Sequence, residues 1–82
     1  MSNLYLANLQ GAKLDGANLY GADLEKANLQ EANLQGAYLI ETNLENSIFT
    51  GANLQEASLK GADLGKAKIE GANLQKTDLQ RA

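Results

Sequence analysis

Asp23 and Glu25 stand two residues apart, a carboxylate pair of the type that general acid–base catalysis uses, and Glu45 and Asp63 add two more acidic groups further on. Such a pair works as acid and base only where burial or a neighbouring charge drives the two pKa values apart. Here Lys26 follows Glu25 directly, as expected of solubilising surface charge. There is no His and no Cys, which removes thiol nucleophiles, disulfides and nearly all zinc chemistry and leaves the redox compartment open. Asp alone on an open surface holds a cation weakly and without selectivity. The sequence therefore predicts no catalytic residue, no metal, no cofactor and no enzyme activity.

Charge and length narrow the remaining classes. Seven basic residues against ten acidic ones give a net charge of −3 over 82 residues. That is the wrong sign for gripping a phosphate backbone, so direct nucleic-acid binding is not expected. No apolar run has the length of a signal peptide or a membrane span, so a soluble chain is expected, cytoplasmic by default. Eighty-two residues make one small domain, 1–82, near the size at which a globular core needs help to be stable. With no Pro and eight Gly, the turns must be made by some device other than ordinary loop chemistry.

The elements that position these groups follow from an internal repeat. In steps of five from Leu4 to Leu79, all sixteen residues are large and apolar: Leu throughout, except Phe49 and Ile69. Two places before each, from Ala7 to Ala72, stands Ala, except at Thr42 and Ser47. An α-helix rotates successive fifth residues by about 140° and scatters them around its cylinder. A flat strand sends them to opposite faces, because its side chains alternate with a period of two. The pattern works if each unit is a three-residue extended side plus a two-residue corner. In Ala17-Asn18-Leu19-Tyr20-Gly21 the small and large residues point inward, and the other three face outward. Four right-angled corners close a square coil of twenty residues, and sixteen units give four coils, a rod roughly 19 Å long at a spacing of ~4.8 Å.

The units ANLYG, ADLEK, ANLQE, ANLQG and ADLGK resemble the A(D/N)LXX repeat of the pentapeptide-repeat family, and the resemblance runs over residues 2–81 without a break. It implies an all-β fold, a right-handed quadrilateral parallel β-helix with Leu at the centre of each side. Some members of that family are acidic rods that inhibit DNA gyrase by imitating duplex DNA, and some are dimers joined through a terminal coil.

Stacking at a period of twenty assigns every other residue a place. Gly closes the unit at seven corners, suiting the positive φ of a type II turn, while Lys, Glu, Asn or Arg at the other corners predicts a different turn at many of them. One core column reads Leu9, Leu29, Phe49, Ile69, so the Phe ring is expected to pack with local adjustment beside Ser47. Outside, Asn33, Asn53 and Asn73 form one column and Gln35, Gln55 and Gln75 another, predicting amide ladders along the stack.

Three surfaces are candidates for function. The side built on Leu4, Leu24, Leu44 and Leu64 carries Asp23, Glu25, Glu45 and Asp63 against Lys26 and Lys66. As a DNA mimic it is sparse, since duplex DNA presents roughly eleven charges over ~19 Å. Tyr20 and Ile40 occupy successive rungs of an outward column, and Tyr38 lies on the same side, forming a possible partner-binding patch. Leu64, Ile69, Leu74 and Leu79 form the last core layer, an open end that invites a homodimer, whereas Met1, Tyr5 and Leu6 are available to cap the first coil. The reading that fits best is a non-enzymatic structural or protein-binding module with an unidentified protein partner. A gyrase inhibitor and a fragment of a longer repeat array without activity of its own are the alternatives.

Overall fold

The computed structural model describes residues 3–82, and in it the backbone winds as a four-sided parallel solenoid. Every side is paired to the next coil through the second residue of its unit, at an offset of twenty. Asn3, Asp23, Asn43 and Asp63 are successive members of the first column, and three equivalent columns start at Asn8, Lys13 and Asn18. Between neighbouring coils the N–H groups of the Leu and of the corner residue donate to carbonyls one coil on, and the N–H of the second residue donates one coil back. Donor–acceptor distances are 2.7–3.2 Å, those of good amide bonds. The extents, 26 × 23 × 22 Å, show that a stack of four coils is about as long as it is wide.

The two inward residues of each unit make the core. Leu24, Leu29, Leu34, Leu39, Leu44 and Phe49 are fully buried, and the Ala residues between them are nearly so. Ala fits because its methyl occupies the narrow space beside a turn without displacing the Leu of the adjoining side. Where Thr42 and Ser47 replace it, each hydroxyl donates to the carbonyl that its own N–H already uses, Leu39 at 2.8 Å and Leu44 at 2.6 Å. These buried polar groups are thus satisfied inside a single turn, and they cost the fold little.

The corners depart from expectation. The expected division between Gly corners and charged corners does not exist: φ is 57–62° at all nine non-Gly corners and 67–73° at the seven Gly corners. Each corner is closed by a bond of 2.8–3.3 Å from the first residue of the next unit to the Leu carbonyl. Positive φ at the third turn residue, with none at the second, makes the turn type II everywhere. The physical reason is the ladder. A different turn at one corner would move its N–H out of line with a carbonyl in the next coil, and the lost bonds outweigh the cost of about 1–2 kcal/mol for a left-handed residue. Replacing Glu56 by Gly is accordingly expected to raise stability by about 1 kcal/mol in a denaturant titration, with the spectrum of the folded state unchanged. No gain would mean that the corner carries no strain.

The Asn columns also work differently. No amide ladder is present among the described residues. Instead, each Asn or Asp at the second place accepts, through Oδ1, the N–H of the fourth residue of its own unit, at 2.9–3.2 Å. This short side-chain turn presets the corner, so Asn and Asp are favoured at that place, since Ala or Gln cannot make it.

Candidate interaction surfaces

A concavity lies at the C-terminal end, and the sides of the solenoid present their second-, fourth- and fifth-place residues as outward columns. On the first side, Oδ1 of Asp23 accepts from Glu25 N–H and Oδ1 of Asp63 accepts from Gly65 N–H, at 3.1 and 2.9 Å. Both Asp residues of the acidic face thus spend an oxygen on their own corners. Glu25 and Glu45 stack in one column, which ends at Gly65. The structure brings the four carboxylates onto one side, as the period requires. No group of three or more acidic side chains is close enough to hold a metal among the described residues.

The fourth side carries two of the three tyrosines, Tyr20 and Tyr38. Tyr20 and Tyr38 are each 53% exposed, whereas Ile40 is half-buried, so the apolar patch is smaller than its three residues suggest. The Tyr38 backbone is pinned twice to the preceding coil, its N–H donating to the Ala17 carbonyl and its carbonyl accepting from Leu19 N–H, both at 2.8 Å. Its ring therefore projects from a fixed base. The Tyr20 hydroxyl donates to Glu41 Oε1 at 3.1 Å.

That bond and the adjacent negative charge hold the Tyr20 phenol above its ordinary 10.0, with a small contribution from desolvation. A raised folded-state pKa means that the bond stabilises the fold at pH values below the ordinary one, and the contribution is lost as pH climbs through the raised value. In Glu41→Gln, Tyr20 is expected to titrate closer to 10.0, visible as phenolate absorbance appearing at lower pH. An unchanged titration would show that Glu41 is not the cause.

Sequence reasoning missed this contact and a second one, Lys26 Nζ lying 5.9 Å from the centre of the Tyr5 ring. Both join the fourth place of one unit to the fifth place one coil on, a separation of twenty-one. Columns spaced at twenty do not reveal such diagonals, although the same arithmetic plus one would have found them.

At the C-terminal end Leu64, Ile69, Leu74 and Leu79 surround a concavity of about 240 Å³ floored by Phe49, Leu54 and Leu59. Ile69 and Leu79 remain 44% and 43% exposed there. At the N-terminal end the described Leu residues, Leu4, Leu9, Leu14 and Leu19, are half-buried. Tyr5 and Leu6 are 45% and 60% exposed corner residues and do not fold over that end, because the turn points their side chains outward. Met1, the third member of the expected cap, lies outside the described residues.

The profile of pentapeptide repeats matches residues 2–37, 27–65 and 47–82, with eight copies. The chain belongs to the pentapeptide-repeat family. No curated protein matches the sequence. A pentapeptide repeat protein from the cyanobacterium Cyanothece 51142 is similar at 39% identity and a TM-score of 0.89, over 90% of this chain and 50% of the other. One from the thylakoid lumen of Arabidopsis thaliana is 35% identical, again with a TM-score of 0.89, over 92% and 52%. A third, from Nostoc PCC 7120, is 35% identical with a TM-score of 0.54, over 85% and 62%. This pentapeptide-repeat chain thus shares the right-handed quadrilateral β-helix of its relatives and spans about half the length of the first two. Among the described residues, no helix is long and apolar enough to cross a membrane.

Proposed function

We propose that this pentapeptide-repeat chain is a non-enzymatic scaffold that presents a protein-binding face on its fourth side. The observation that carries this reading is the pair of tyrosines, Tyr20 and Tyr38. Both are half exposed, on a surface whose backbone is fixed by the coil ladder. Rigid, partly exposed Tyr gives contact area at low entropic cost, as protein interfaces favour. The double replacement Tyr38→Ser with Ile40→Ser touches no core residue and should leave the thermal transition in place. Affinity capture with the unaltered chain should retain a protein that the double variant loses. Equal capture by both, or none by either, would reject this face. We take the compartment to be the cytoplasm, which cell fractionation would check, and an exported location is the competing outcome.

The acidic first side supports a gyrase-inhibiting DNA mimic less well. Two of its four carboxylates serve the corners, and its charge is well below that of a duplex. A supercoiling assay separates the readings, since a mimic slows gyrase at modest protein concentration whereas a scaffold leaves it unaffected. The third reading, part of a longer array, draws on the half-length coverage of the solved relatives. The flanking coding sequence decides it.

A further inference from the structure

Tyr5 and Tyr20 hold the same place in their units, and each is met by the fifth-place residue one coil on. At Tyr5 that residue is Lys26, whose Nζ lies 5.9 Å from the ring centre, so this ring has its cation supplied from within the chain. At Tyr20 the same diagonal place holds Glu41. Its carboxylate takes the phenol hydroxyl, and among the described residues no Lys or Arg lies over the Tyr20 ring.

The pair is exposed yet fixed. Tyr20 is 53% exposed, and Glu41 stands at an exposed corner. The Glu41 N–H donates to the Lys60 carbonyl at 2.8 Å, and its Oε1 accepts the Tyr20 hydroxyl at 3.1 Å. Between these two anchors its stem lies across Gly61, where a Cβ would come within 3.3 Å of Glu41 Cγ. An aromatic ring and a carboxylate are thus held side by side on an open flank of the solenoid.

Arginine is the side chain that can use both. Its planar guanidinium stacks on an aromatic face and donates in its own plane to a carboxylate, whereas the lysine ammonium is a compact, strongly hydrated point charge. The surroundings have the complementary sign. Around the corner from Glu41 lies Asn43, paired on its two sides with Asp23 and Asp63 of the acidic first side. The basic residues of the fourth side, Lys60 and Arg81, belong to the third and fourth coils.

We propose that the fourth side recognises an arginine side chain of a protein partner, the guanidinium lying on the Tyr20 ring and donating to Glu41 while Tyr38 and Ile40 meet apolar groups beside it. This rests on the reading of the fourth side as a protein-binding face and specifies what that face selects. Because the Tyr20 hydroxyl donates to Oε1, Glu41 keeps its charge and its Oε2 for the guanidinium. The same bond keeps the ring beside the carboxylate, so the two groups act as one unit.

The probe is a blocked Gly-Arg-Gly tripeptide, titrated into the full chain and followed by NMR. Saturable shifts are expected, largest at the Tyr20 ring, with blocked Gly-Lys-Gly binding about threefold to tenfold more weakly. Glu41→Gln and Tyr20→Leu should each weaken the arginine peptide by a similar factor, and as exposed side chains outside the core they leave the thermal transition in place. Glu25→Gln removes the same charge from the neighbouring first side and should leave the affinity unchanged. No saturable shift, equal affinity for the lysine peptide, or an equal loss in Glu25→Gln would overturn the proposal. If the arginine peptide fails while the unaltered chain still captures a protein that the Tyr38→Ser, Ile40→Ser variant loses, the fourth side binds through other chemistry and arginine recognition alone is rejected.

Discussion

Phe49→Ala is expected to destabilise the chain by about 3–5 kcal/mol, the usual cost of emptying a buried aromatic site. Phe49 is fully buried in a column whose other members are Leu9, Leu29 and Ile69, and its ring floors the C-terminal concavity. Removing it joins its own volume to that space, so the last coil loses its support from below. The neighbouring coils cannot collapse inward to compensate, because each is held at a fixed height by the ladder. Phe49→Leu, which restores the residue usual at this place, should cost much less. Equilibrium unfolding in urea distinguishes the two, and equal losses for both would show that the ring does not support the last coil. Ser47, in the same unit, donates its hydroxyl to the Leu44 carbonyl at 2.6 Å, the same bond that Thr42 makes to Leu39 where no Phe is present, so it is a property of the corner and not of the ring.

The columns of Leu and Ala were legible in the sequence because the period of five has only one way of hiding its large members, and Leu9, Leu29 and Phe49 do stack inside. The corners were not legible. A single turn judged by its own residue favours Gly at positive φ, and by that criterion Lys26 or Glu31 calls for another geometry. The ladder applies the same demand to every corner, and it prevails because each corner N–H is shared between coils. The Asn columns failed for the opposite reason. Stacking suggested long-range amide bonds, whereas Asn33 and Asn53 bond two residues along their own chain, at 3.1 and 3.0 Å, where the geometry is better. For the candidate surfaces, the sequence placed Tyr20 and Tyr38 correctly on one side. It overstated Ile40, whose exposure depends on neighbours that a column alone does not supply.

Leu→Ala substitutions along one column should be graded steeply by coil. Leu14, Leu34, Leu54 and Leu74 are chemically identical and stacked, yet Leu34 and Leu54 are fully buried whereas Leu14 and Leu74 are half-buried. Leu34→Ala is expected to cost about 2–5 kcal/mol, and Leu74→Ala less than about 2 kcal/mol. The difference has two parts. Less apolar surface is returned to water at an end, and an end coil has one neighbour in place of two, so its ordering is coupled to less of the molecule. Amide exchange reads the second part separately: the N–H groups of the middle coils should exchange only with global unfolding, while those of the first and last coils open by fraying. If end and middle substitutions cost the same, the chain folds as one indivisible unit, and open ends would then be no source of local instability. A protein whose ends are its weakest coils gains most from whatever covers them.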